Sequence, residues 1–133
     1  MPLDRNLKTM NVTDCPFCKI DREIIIESEL CLAIYDKYPV NEGHVLVVPK
    51  RHVKDYFKLE QKEIDSIWQM VNEIKLILYT KYEPRGYNIG FNVGTASGQT
   101  IDHVHIHVIP RYKGDMDDPT GGVRHVIPDR GKY

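Results

Sequence analysis

Apolar and polar residues alternate strictly along residues 102–111. Val104, Ile106 and Val108 fall on one face of an extended chain, and His103, His105 and His107 on the other. That pattern predicts a strand with an aliphatic face on a core and an imidazole face outside it. Residues 44–49, His-Val-Leu-Val-Val-Pro, form a β-branched apolar run too short for a helix and suited to a buried strand. Shorter β-rich runs at 23–26, 30–35 and 87–93 predict three more strands. Between 61 and 82 the period changes. Ile64, Ile67, Val71, Ile74 and Leu78 recur at three- and four-residue steps, which predicts one long amphipathic helix, stopped by Pro84 and Gly86. Glu60 and Glu63 suit the positive end of its dipole. The fold class expected is α+β: an antiparallel meander with one helix inserted between strands and packed over the sheet.

The ends carry less pattern. Residues 1–14 read as a loosely held lead-in, 15–111 as one domain, and 112–133 as a Gly-, Pro- and Asp-rich tail in which 121–128 forms a short docking segment. No internal repeat is present. A chain of 133 residues, 41% hydrophobic, suffices for one core. Its formal charge of −1 argues against bulk nucleic-acid binding. No apolar run reaches membrane-spanning length, and the first thirteen residues lack a secretory hydrophobic segment. The expected location is therefore cytoplasmic, with thiols reduced. Cys31 reads as a small buried side chain. Cys15 and Cys18 form a Cys-x-x-Cys pair, open to a metal-binding, redox or chance reading.

Three imidazoles in a row each carry a donor and an acceptor to satisfy, so a bound group is expected beside them. Same-face strand residues stand nearly parallel and do not converge as the ligands of one zinc ion must. A polyanion fits better, with one ring as nucleophile and its neighbours as donors to phosphate oxygens. Upstream, Asn92-Val93-Gly94-Thr95-Ala96-Ser97-Gly98-Gln99-Thr100 is a small polar loop whose backbone amides can approach a phosphate closely. Asp36 closes an apolar run and reads as a turn or cap residue, and Phe17 and Ile20 as core.

The combined pattern, Asn92 through Gly98-Gln99-Thr100 to His103-x-His105-x-His107, resembles the histidine triad family of nucleotidyl hydrolases and transferases. Gly43-His44-Val45-Leu46-Val47-Val48-Pro49-Lys50 is similar to a second segment of that family. The resemblance implies a dimeric domain acting on purine nucleotides at the α-phosphate. It implies His105 as nucleophile, His107 as donor to a non-bridging oxygen, His44 as an orienting or phosphate-supporting group and Thr100 as donor to the leaving group. Asp36 would accept both ribose hydroxyls, Phe17 and Ile20 would wall the base, and Asn92, Gly98 and Gln99 would belong to the phosphate loop. Cys15, Cys18, His52 and His103 match the four positions at which bacterial members bind a structural zinc ion. The substrate expected is a dinucleoside polyphosphate or a nucleoside phosphoramidate. The rivals are a non-catalytic nucleotide-binding module and a hydrolase that uses the histidines as a catalytic metal site. The apolar Trp68 and Leu76, off the main helical stripe, support the homodimer.

Overall fold

Strand β3, Val45–Pro49, is buried at every position, and β2, Cys31–Tyr35, at all but its last. Both are covered on two faces, which is why they read as continuous apolar runs. The computed structural model describes residues 14–133, so the lead-in expected at 1–14 lies, apart from Asp14, outside the described residues. The remaining elements are β1 (Ile24–Glu27), α1 (Gln61–Tyr82), β4 (Gly86–Gly90) and β5 (Ile106–Arg111). Their sheet is antiparallel in every pairing, with order β1-β2-β3-β5-β4. The last hairpin is thus inserted rather than appended. β5 slots between β3 and β4, pairing Val45 with Val108 and Leu46 with His107. The expected strand at 102–111 is shorter than its alternation suggests. Regular pairing begins at Ile106, and His103 and His105 stand in the segment leading into it.

Each face of the sheet has its own apolar layer. Ala33, Val45, Val47, Ile106 and Val108 meet Ile67, Met70, Ile74 and Leu78 of α1. The alternate residues Leu32, Ile34, Leu46 and Val48 pack against Cys15 and Phe17. His107 alternates out of the helix-facing layer, so the functional face is the one α1 leaves open.

The helix occupies its expected span. At its start the Glu60 backbone N–H donates to the Glu63 carboxylate (2.8 Å), which also receives two Arg51 donors at 2.7 and 3.1 Å. The 3%-exposed Glu63 is therefore a paired buried charge. Trp68, expected to present apolar surface to a partner, instead lies against the core with its indole N–H donating to the Tyr56 hydroxyl (3.1 Å). Leu76 does stay 62% exposed. The tail begins anchored, with Arg111 paired to Asp115 (2.8 Å) and the Tyr112 hydroxyl donating to the Glu42 carbonyl (2.8 Å). Beyond that, Gly122 of the expected docking segment lies beside the Asn88 side chain of β4, and the rest folds largely on itself. Gly122–Val126 forms a 3₁₀ turn, His125 reaches the Thr120 carbonyl, and Val123, Val126 and Ile127 are exposed. Among the described residues no helix is long and apolar enough to cross a membrane.

Candidate functional site

The turn at Cys15–Cys18 is closed by amide donors from Cys18 and Lys19 to the Cys15 carbonyl, both 3.2 Å. It brings both thiols against His52, just past β3, and His103, just before β5. Cys15 Sγ lies 3.3 Å and Cys18 Sγ 3.5 Å from His103 Nδ1. His52 Nδ1 lies 3.0 Å from Cys18 Sγ and 3.2 Å from His103 Nδ1. All four ligand atoms fall within 4.8 Å of one another. A tetrahedron with zinc bonds of about 2.0–2.3 Å has edges of about 3.3–3.8 Å, close to these separations. The His103 Nε2–H donates to the Pro49 carbonyl (2.7 Å), which leaves Nδ1 as a lone pair aimed into the cluster. Burial pushes the Cys18 thiol up to about 11 and His103 down to about 4. A cation among these donors is what would favour the thiolate and occupy the imidazole lone pairs. The donor set fits zinc.

Beside this cluster opens a cavity of about 590 Å³, within the size range of small-ligand sites. His105, His107, His44, Asp36, Asn92, Gly98, Thr100 and Phe17 all line it. Gly98 has φ +96°, a conformation that favours glycine, and ends the short 3₁₀ turn Thr95–Ser97.

Two expected residues stand elsewhere. Ile20 packs with the apolar layer of Phe17 and Ile34 and does not line the cavity. Gln99, expected at the phosphate, turns inward and is 5% exposed. Its carbonyl accepts from the Gly94 amide (2.9 Å), and its amide donates to the Lys54 (2.8 Å) and Ile101 (3.0 Å) carbonyls. It braces the loop from behind, because a buried side-chain amide must satisfy both its ends. Sequence reading missed the polar lining residues Asp21, Arg22, Lys37 and Tyr38, and the apolar Pro16, Val40, Leu46 and Ile101 that complete the cavity wall. Only Lys37 and Tyr38, flanking the Asp36 turn, carried a positional hint.

Hydrogen bonds assign the imidazole protons. His105 Nδ1 lies 2.8 Å from the His103 carbonyl, which can only accept, so the proton sits on Nδ1 and Nε2 carries a lone pair. His44 Nδ1 accepts from the Val40 amide (3.0 Å), so its proton sits on Nε2. That Nε2–H faces His107 Nδ1 at 3.0 Å, with Asp36 Oδ2 3.4 Å away. His107 therefore bears its own proton on Nε2. Burial pushes His44 and His105 below the usual imidazole range and His107 down to about 4, so all three rings are neutral near pH 7. Neutral His105 and His107 thus offer one lone pair and one N–H donor. Asp36, His44 and His107 also lie close enough to hold a metal ion. However, the His44 atom that would bind it is the nitrogen its tautomer protonates, which disfavours a catalytic metal there.

The fold and this site define a histidine triad domain, and the HIT domain model matches residues 18–114. The chain belongs to the HIT family. A HIT-like protein of Methanocaldococcus jannaschii is 40% identical, the match covering 76% of this chain and 81% of that protein. An AP-4-A phosphorylase of Mycobacterium tuberculosis is 33% identical over 79% of this chain and 55% of the enzyme. A bis(5'-adenosyl)-triphosphatase of Dictyostelium discoideum is 36% identical over 72% of this chain and 64% of the enzyme. Among solved structures, a HIT family protein from Bacillus anthracis superposes with TM-score 0.71 at 38% identity, covering 74% of each chain. A Zn-bound histidine triad family protein from Mycobacterium smegmatis gives TM-score 0.72 at 33% identity, covering 79% of this chain and 80% of that one.

Proposed function

We propose that this protein is a cytoplasmic nucleotide hydrolase acting at the α-phosphate of a purine nucleotide through a nucleotidyl-histidine intermediate on His105. The observation that carries the reading is the His105 tautomer, which leaves the Nε2 lone pair available on a ring that lines the cavity. That lone pair attacks the α-phosphorus. A nitrogen–phosphorus bond forms as the bond to the leaving group breaks, and the leaving group departs with the electron pair. The His103 carbonyl holds the Nδ1 proton as positive charge grows on the ring. The His107 N–H, fixed by His44, donates to a non-bridging oxygen as negative charge gathers there. Thr100 donates to the leaving oxygen. Water then attacks the same phosphorus and loses a proton to solvent, as the nitrogen–phosphorus bond breaks and its electron pair returns to Nε2, which restores the neutral imidazole.

Asp36 holds the ribose hydroxyls, Phe17 walls the base, and Asn92 and Gly98 line the phosphate end. Cys15, Cys18, His52 and His103 would hold a structural zinc ion, whose charge ties the knuckle to the two segments bearing the histidines. The two adenosine-polyphosphate enzymes among the relatives support a dinucleoside polyphosphate or related phosphate anhydride or phosphoramidate as substrate. His105→Gly is expected to abolish turnover of such a substrate while keeping AMP affinity within about threefold of wild type, since His107, Gly98 and Asp36 remain. A chiral phosphorothioate substrate is expected to react with net retention, the product of two inverting displacements. Net inversion would overturn the intermediate.

A further inference from the structure

The Cys15–Cys18 turn has an inner and an outer use. Its ends are the two thiols, while the residues between them, Pro16 and Phe17, are walls of the nucleotide cavity. The Phe17 amide donates to Cys15 Sγ (3.4 Å), and its ring sits 5.8 Å from the His103 ring and 5.0 Å from that of His105. His103 is divided in the same way. Its Nδ1 faces the thiols, its Nε2 holds Pro49 at the end of β3, and its carbonyl receives the His105 proton. Two Nδ1 atoms at 3.2 Å, one of them a lone pair, together with two nearby sulfurs, form a cluster that a shared cation would bind through all four donors. Bonds to that cation would fix the turn that carries Phe17 and the residue whose carbonyl orients His105.

We propose that metal occupancy of the Cys15–Cys18–His52–His103 cluster and nucleotide binding in the adjacent cavity are thermodynamically coupled, with Phe17 and the His103 carbonyl as the positioning elements between them. This inference rests on the nucleotide reading above and adds to it that the metal sets ligand affinity as well as holding the fold. Coupling is reciprocal, so zinc must strengthen nucleotide binding by the factor by which nucleotide strengthens zinc binding.

The full chain, loaded with one equivalent of zinc or stripped by chelation, is titrated calorimetrically with AMP, and helix content is followed by far-UV circular dichroism. AMP is expected to bind the loaded form about tenfold or more tightly. Competition against a chromophoric chelator, with and without saturating AMP, is expected to return the same factor for zinc. A Co²⁺-substituted sample supplies an arm that needs no metal-free protein. AMP is expected to shift its ligand-field bands, saturating at the calorimetric Kd, and Phe17→Ala is expected to diminish both that shift and AMP affinity while leaving metal affinity without AMP unchanged. Equal AMP affinity in loaded and in stripped but folded protein overturns the coupling and leaves the nucleotide reading standing. If stripping unfolds the chain, the Co²⁺ bands decide, and bands unmoved by AMP that calorimetry shows to be bound overturn the coupling. AMP binding to no form overturns the nucleotide reading and the coupling with it.

Discussion

Asp36 shows how one side chain can serve a turn and a ligand. Its Oδ1 accepts from the Tyr38 amide at 2.8 Å, the turn role its place in the sequence suggested, while Oδ2 lies toward His44 and the carboxylate lines the cavity. If the free acceptor positions hold ribose, Asp36→Ala weakens a ribonucleotide by roughly 1.5–3 kcal/mol and leaves the 2′-deoxynucleotide much less affected. Equal losses for the two sugars, measured by calorimetry, would reduce Asp36 to its turn. The histidines make a second prediction at this scale. His107 titrates at about 4 in the fold, against about 6.5 in an unfolded chain. Between those values the unfolded chain binds the extra proton, so stability falls as pH drops from about 6.5 toward 4, and this contribution is flat above 6.5. In urea titrations across that window, His107→Ala is expected to show a shallower pH slope than wild type. Identical slopes would mean His107 does not contribute. The residue types were legible in the sequence. The inward turn of Gln99 was not, because it depends on the Lys54 carbonyl, 45 residues earlier in the chain.

At the scale of elements, α1 was readable end to end because its signals are local: the apolar period, acidic residues at the start, and Pro84 and Gly86 beyond the end. Its tie to the strand layer was not local. Arg51, just past β3, supplies both cationic donors to Glu63. Arg51→Ala leaves the Glu63 carboxylate with only its backbone partner, and a lower unfolding midpoint is expected. A thermal or urea unfolding midpoint indistinguishable from wild type would contradict this account. The triad strand shows the opposite lesson. Its alternation was correct, yet the ladder starts at Ile106, because His103 ahead of it is drawn to the thiols and Pro49 instead of to a neighbouring strand.

For the molecule as a whole, the edge strand β4 and the adjoining helix surface remain open. Tyr87 ties the two together through its hydroxyl to the Lys75 carbonyl (3.2 Å), and Leu76, Tyr79 and Ile89 are 62%, 58% and 37% exposed. An unpaired edge beside apolar side chains suits a two-fold partner. Sedimentation is therefore expected to give twice the 15.5 kDa chain mass, and a concentration-independent mass of one chain would exclude the dimer. The sequence by itself determined the helix, the apolar strands, the family and the residue types of both clusters, since each is written in short-range spacing. Only the tertiary structure decided the insertion of β5 between β3 and β4, which sets His107 against His44 across 63 residues, and the folding of Cys15 against His103 across 88. Those contacts depend on which strand edges pair and which faces are buried. Long-range packing also chose the proton-bearing nitrogens of His103 and His107, through the Pro49 carbonyl and the His44 ring, whereas those of His105 and His44 are set locally, by the His103 carbonyl and the Val40 amide.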